Sequence, residues 1–91
     1  MNIKEFTKRF YPSEEDIEKI ALCNFVDEYV QDIYNNTAVK NALLRSDITS
    51  ISDLANATYD EVSLFRNIGK KKLDYIVKLK TIIDENLNPE H

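Results

Sequence analysis

Apolar residues recur at intervals of three and four along most of the chain, which is the spacing of one face of an α-helix. The first long stripe follows Pro12-Ser13, where Ser13 suits a helix cap, and continues to about Tyr34. The polar tripeptide Asn35-Asn36-Thr37 is expected to end this helix. A shorter stretch of the same spacing over residues 3–10 predicts one or two further turns.

The helices become shorter after this break. The apolar spacing predicts about two helical turns from Ala38 to Leu44. A turn-rich connection then leads to Ser50 or Ser52, either of which can cap a short helix through Ala55.

Two more helices are predicted in the last third of the sequence. Thr58 and Glu61 have the spacing of a capping box, in which each side chain accepts a hydrogen bond from the other residue's backbone, so a short helix should run to about Phe65. The final helix should begin after Gly69 and end near Glu85. The whole pattern predicts an all-α protein, a compact bundle of about five helices with an extra long N-terminal helix.

Charge is unevenly distributed along the 91 residues, whose net charge is −4. Residues 1–36 contain eight acidic and four basic residues, whereas residues 66–80 contain six basic residues and one acidic residue. This distribution argues against a protein that binds polyanions over its whole surface, and it leaves a local basic site open.

The composition offers little for catalysis or metal binding. Cys23 is the single cysteine and His91 the single histidine. The sequence thus predicts no disulfide within the chain, no set of metal ligands and no pair of catalytic nucleophile and base. We therefore expect no enzymatic activity, no catalytic or metal residues and no cofactor. The sequence lacks the uninterrupted apolar run of a signal peptide or membrane span, which favours a cytoplasmic protein without membrane contact.

The turn Asn67-Ile68-Gly69 contains the only glycine and is followed by Lys70, Lys71 and Lys72. A glycine before a helix leaves the first N–H groups accessible to a phosphate. Lysines in a first helical turn oppose the helix dipole, so an external anion would compensate for their placement. The alternative is that the three lysines are only solvated surface charge.

The run from Ala38 to Ile76 resembles the C-terminal domain of the bacterial RNA polymerase alpha subunit, without gaps. A helix-hairpin-helix turn is a weaker description that covers only residues 64–76. The positions that carry the resemblance are Asn41, Leu43, Ile48, Ile51, Asp53, Leu54, Thr58, Glu61, Val62, Asn67, Gly69, Lys71, Leu73 and Ile76.

The resemblance implies contact with the minor groove of A/T-rich promoter DNA and docking of transcription regulators. It places Asn41 at the start of its helix near the DNA backbone, the Gly69 amide on a phosphate and Lys71 beside a phosphate. Lys72 stands where the family usually has a phosphate-binding serine. The family's groove-inserted arginine falls at Ala38, so weak, salt-sensitive binding with reduced sequence preference is expected.

The leading interpretation is a small bacterial or phage protein that acts in transcription and contacts DNA. The predicted nucleic-acid-binding residues are Asn41, Asn67, Gly69, Lys70, Lys71 and Lys72. Residues 1–36 are expected to form an acidic helical extension packed on an alpha-C-terminal-like domain at 37–91. The alternative is a protein-protein interaction module that has lost DNA binding, in which the extension engages RNA polymerase, a transcription regulator or a second copy of the protein.

Overall fold

A computed structural model describes residues 1–11, 18–65 and 69–87. All regular structure in these residues is α-helical, which confirms the predicted all-α fold. The helices are α1 (Ile3–Lys8), α2 (Glu18–Tyr29), α3 (Ile33–Arg45), α4 (Ile51–Asn56), α5 (Tyr59–Ser63) and α6 (Lys70–Leu87).

The first helix anchors the N-terminal end of the protein in an aromatic cluster. Asn2 caps α1 by accepting a hydrogen bond from the backbone N–H of Glu5 at 2.8 Å. The rings of Phe6 and Phe10 both lie against Phe25 of α2, with centroids 5.6 and 5.1 Å away. Offset and edge-to-face contacts of this kind add to the apolar area that the rings bury. Phe6 and Phe25 are fully buried.

The boundary between α2 and α3 differs from the sequence prediction. The stripe expected to continue to Tyr34 ends at Tyr29, and Asn35-Asn36-Thr37, expected to break the helix, lies within α3. The reason is Asp32, whose carboxylate accepts hydrogen bonds from the N–H groups of Tyr34 at 3.2 Å and Asn35 at 3.4 Å. This cap starts a new helix five residues earlier than predicted. The proposed cap at Ser13 lies outside the described residues.

The two short helices form as their caps predict. Ser50, one of the two candidates, accepts a hydrogen bond from the N–H of Asp53 at 2.9 Å and begins α4. At α5, Thr58 accepts from the N–H of Glu61 at 3.0 Å, and the Glu61 carboxylate accepts from the N–H of Thr58 at 3.3 Å. The capping box is therefore confirmed.

The long helix α6 packs against α1, α3, α4 and α5, and α2 contacts α1, α3 and α4. One core thus joins the N-terminal helices to the rest of the protein. Its fully buried members include Phe6, Phe25, Val26, Val39, Leu43, Ile51, Leu54, Val62, Ile76, Leu79 and Ile83. The division into an extension at 1–36 and a domain at 37–91 stays a prediction, and α3 continues across that position.

Candidate nucleic-acid interface

The start of α6 is open to solvent. Gly69 is exposed, and its carbonyl accepts the first helical hydrogen bond from the N–H of Leu73 at 3.0 Å. Its φ is not positive, so it does not adopt the left-handed conformation that glycine alone favours. A Cβ placed there would meet no atom within 4 Å. Neither the backbone conformation nor the packing at this position therefore requires glycine.

The first N–H groups of α6 have no acceptor among the described residues. The backbone N–H groups of Lys70, Lys71 and Lys72 donate no hydrogen bond to any described residue. The first turn of the helix also contains no acidic residue. The positive end of the helix dipole therefore lies beside three lysines, an arrangement that favours a bound anion.

The three lysines differ in their surroundings. Lys70 and Lys71 are exposed, and Lys72 is half-buried. Because successive helical residues are rotated by about 100°, their side chains leave the helix in different directions. Only Lys71 has an ionic partner within the described residues: its Nζ lies 3.6 Å from Oδ2 of Asp32. The fourth residue predicted at this turn, Asn67, lies outside the described residues.

Asp32 connects the start of α3 to the start of α6. The side-chain amide of Asn35 donates to its Oδ2 at 2.6 Å. This hydrogen bond, followed by the one from the Asn35 backbone, holds the pKa of Asp32 below its ordinary value, and Lys71 adds a smaller effect in the same direction. Asp32 is therefore ionised at neutral pH, and its negative charge lies next to the predicted phosphate site.

Asn41 is not at the start of its helix, which corrects the placement that the resemblance implied. It lies in the third turn of α3, because the cap at Asp32 extends that helix toward the N-terminus. A rise of about 1.5 Å per residue puts it roughly 13 Å along the helix axis from Asp32. Its side chain is exposed and makes no hydrogen bond to the described part of the protein. Asn41 and Lys71 are thus not brought to one point.

The neighbouring Lys40 cannot replace the family's arginine at Ala38. Its Nζ lies 2.6 Å from Oδ1 of Asp27 in α2. Burial opposes ionisation of Asp27, but the hydrogen bonds from Lys40 and Asn36 outweigh it and keep the pKa of Asp27 below its ordinary value. Lys40 is held by the N-terminal part of the protein and is not free to enter a groove.

Lys80 has a structural role. It is only 5% exposed, and its Nζ donates to the carbonyl of Ala55 at 3.0 Å. The same Nζ lies 5.0 Å from the centroid of the Tyr59 ring and 3.8 Å from Oδ1 of Asp84. Lys80 therefore does not contribute to a DNA-binding surface, although it belongs to the basic stretch at residues 66–80.

Ile33 and Tyr34 belong to the predicted apolar stripe and yet face solvent. They are 81% and 89% exposed at the first turn of α3. A shallow groove of about 340 Å³ lies beside Ile33. Its lining is formed by Asp27, Val30, Gln31, Ile33, Asn36 and Thr37. The signal that sequence reasoning missed is Asp32 followed three residues later by Asn35, which marks a helix start within an uninterrupted apolar pattern.

The comparison with protein families identifies the domain. The family model for the C-terminal domain of the bacterial RNA polymerase alpha subunit matches residues 36–80, which include the whole run from Ala38 to Ile76. The protein therefore contains an alpha-C-terminal-like domain that includes residues 36–80. The curated proteins and the solved structures provide no match to this sequence.

The family indicates a transcription-related role that involves interaction with DNA and the transcription machinery. The family is a non-enzymatic domain of RNA polymerase, and the expectation that this protein has no enzymatic activity stays a prediction. None of the six described helices combines the length and apolar character needed to cross a membrane. In the described residues, no cluster of histidine, cysteine or carboxylate side chains is suited to a metal ion.

Proposed function

We propose that this protein binds duplex DNA weakly through the start of α6, as part of a transcription complex in the bacterial cytoplasm. The observation that carries the proposal is the open helix start in the alpha-C-terminal-like domain. There the exposed Gly69 precedes three lysines, and the first turn lacks any acidic residue.

A DNA phosphate would satisfy two features of this site together. Its oxygens accept hydrogen bonds from backbone N–H groups at a helix start, where the dipole also favours negative charge. The side chains of Lys70, Lys71 and Lys72 leave the helix in different directions, so they would pair with different phosphates of the duplex and release counterions on binding. The anion would thus offset the unfavourable placement of the lysines.

Asn41 would contact a different nucleotide. Its position about two and a half turns along α3 from Asp32 separates it from the lysines, and its exposed amide can donate to and accept from DNA. Ala38 lies one turn before it and provides no charge for the minor groove. The proposed binding is therefore dominated by contacts with the DNA backbone and has a modest preference for A/T-rich sequences.

Fluorescence anisotropy with a labelled A/T-rich duplex tests this proposal over a salt series from about 20 to 200 mM. The logarithm of the affinity should fall linearly with the logarithm of salt concentration, because counterions are released. The matched variants are Lys71→Gln and Lys78→Gln. Lys78 is an exposed lysine of the same helix, two turns away from its start.

Lys71→Gln should weaken binding and reduce the salt slope by about 1, whereas Lys78→Gln should change the affinity less than twofold. Asn41→Ala should reduce the affinity with no change in the slope, because the amide carries no charge. Equal effects of Lys71→Gln and Lys78→Gln would show that binding is spread over the helix, and absence of binding at about 20 mM salt would refute the proposal.

A protein-docking function is the second candidate, and it is favoured by the exposed Ile33 and Tyr34. Exposed apolar side chains beside a groove are typical of protein interaction sites. Surface plasmon resonance with purified bacterial RNA polymerase tests this candidate. It predicts that the double change Ile33→Ser and Tyr34→Ser weakens binding at least tenfold, whereas Lys71→Gln has little effect. The reverse pattern would place the polymerase contact at the start of α6, and unchanged binding by both variants would exclude the patch of Ile33 and Tyr34 as the docking site.

A further inference from the structure

The two ion pairs that join different helices in the described residues share one pattern. In each pair the carboxylate lies before the region matched by the family and the lysine lies within it. Asp27 holds Lys40 at 2.6 Å, and Asp32 lies 3.6 Å from Lys71. The acidic N-terminal part of the protein thus provides counter-ions for lysines of the alpha-C-terminal-like domain.

The contact at Lys71 differs from the contact at Lys40 in its geometry. The Lys40 pair is a short hydrogen bond, and the Lys40 side chain is 25% exposed. The Lys71 side chain is 70% exposed, and its Nζ lies 3.6 Å from Oδ2 of Asp32. This distance allows ionic attraction but is too long for a hydrogen bond. Lys71 can therefore leave Asp32 and pair with another anion at little cost.

Asp32 cannot move away when Lys71 does. Its carboxylate caps α3 and accepts the side-chain amide of Asn35 at 2.6 Å. A phosphate that pairs with Lys71 would consequently approach a fixed negative charge a few ångströms away. Like charges at that distance repel each other, and the repulsion is strongest at low ionic strength.

We propose that Asp32 is a built-in competitor that occupies Lys71 and lowers the affinity of the α6 start for DNA phosphate. This inference rests on the DNA contact proposed above. It assigns to one acidic residue before the family-matched region the role of keeping DNA binding weak and of making its salt dependence shallower.

The test compares Asp32→Asn with Glu28→Gln in the same anisotropy assay. Asparagine is as good a helix cap as aspartate, so the change removes the charge and keeps the start of α3. Glu28 is an exposed carboxylate of α2 without a lysine partner among the described residues, and its loss changes the net charge equally. Asp32→Ser is a second uncharged cap for use if Asp32→Asn unfolds, which circular dichroism will show.

Asp32→Asn should bind the duplex about three- to fivefold more tightly at about 20 mM salt and show a steeper salt slope, because Lys71 is released for a phosphate. Glu28→Gln should change the affinity less than twofold. The gain from Asp32→Asn should be smaller when that change is made in Lys71→Gln, because only the repulsion between Asp32 and the phosphate is then relieved.

The outcomes separate this inference from the proposed function. Binding that depends on Lys71 in the original protein but is unchanged by Asp32→Asn would overturn the inference alone. Equal gains from Asp32→Asn and Glu28→Gln would also overturn it, since net charge would then explain both. If neither the original protein nor Asp32→Asn binds the duplex, the proposed function fails and the inference fails with it. Binding by Asp32→Asn alone would support the inference and show that the competitor closes the site.

Discussion

Replacement of Lys80 by methionine should destabilise the protein and leave its DNA affinity unchanged. Lys80 is a buried cation that lies between α4, α5 and α6. Its Nζ donates to the carbonyl of Ala55 in the last turn of α4, at 3.0 Å. Carbonyls at a helix end lack intrahelical partners, and a cation there also suits the negative end of the dipole. The Tyr59 ring covers the same ammonium group at 5.0 Å.

The expected magnitude follows from these contacts. A hydrogen bond from a charged donor contributes about 1.5–3 kcal/mol, and a cation-π contact with a partly exposed ring contributes about 0.5–1 kcal/mol. Removal of the charge also removes the cost of burying it, which offsets part of this loss. Methionine keeps the apolar stem and its packing. We expect a net loss of about 2 kcal/mol, equivalent to roughly 8–16 °C in Tm for a domain of this size.

Thermal unfolding followed by circular dichroism, together with urea titration, measures this loss. Lys78→Met is the matched control, because Lys78 is exposed on the same helix and has no ionic partner in the described part of the protein. It should change the free energy of unfolding by less than about 0.5 kcal/mol. If Lys80→Met also stays within about 0.5 kcal/mol of the original protein, the assigned role of the buried ammonium is wrong.

Two further predictions concern the helix start and the acidic N-terminal segment. Gly69→Ala should change the free energy of unfolding by at most about 1 kcal/mol, because its Cβ meets no atom within 4 Å. The same change should weaken DNA binding several-fold in anisotropy, because an added methyl group at the exposed helix start would hinder close approach of a phosphate. Unchanged affinity would contradict close phosphate approach. Asp27 has a lowered pKa in the folded state, so its contribution to stability is present above the unfolded value of about 3.9 and is lost as pH falls through the lower folded value. Urea titrations should therefore give a difference in the free energy of unfolding between the original protein and Asp27→Asn that is largest near neutral pH and shrinks below about pH 4. A difference that does not depend on pH would argue against the Lys40 pair as its cause.

Local signals in the sequence were sufficient for much of the fold. The capping box of Thr58 and Glu61 and the cap at Ser50 depend on residues three positions apart, so they can be recognised without knowledge of the tertiary structure. The last helix was likewise predicted to begin after Gly69 and end near Glu85, and α6 runs from Lys70 to Leu87. The α2–α3 boundary was placed wrongly because apolar residues continue across it, and the cap at Asp32 decides the geometry. Ile33 shows that apolar spacing alone does not establish burial.

The candidate site could be predicted only in part. Gly69 and the lysines stood out because they oppose the local preferences of a helix start. The partner of Lys71 could not be read from the sequence, because Asp32 is separated from it by many residues and meets it only when α3 packs on α6. The same holds for Lys80, whose acceptor, the Ala55 carbonyl, belongs to another helix.

The most direct test of the proposed interface is a titration of the ¹⁵N-labelled 91-residue protein with an unlabelled A/T-rich duplex at about 20 mM salt, followed amide by amide by NMR. The N–H signals of Gly69, Lys70, Lys71 and Lys72 should shift most. The Kd fitted to these shifts should equal the Kd from anisotropy. Shifts confined to Ile33, Tyr34 and the adjoining groove, with the α6 start unchanged, would contradict the claim that this helix start receives the phosphate.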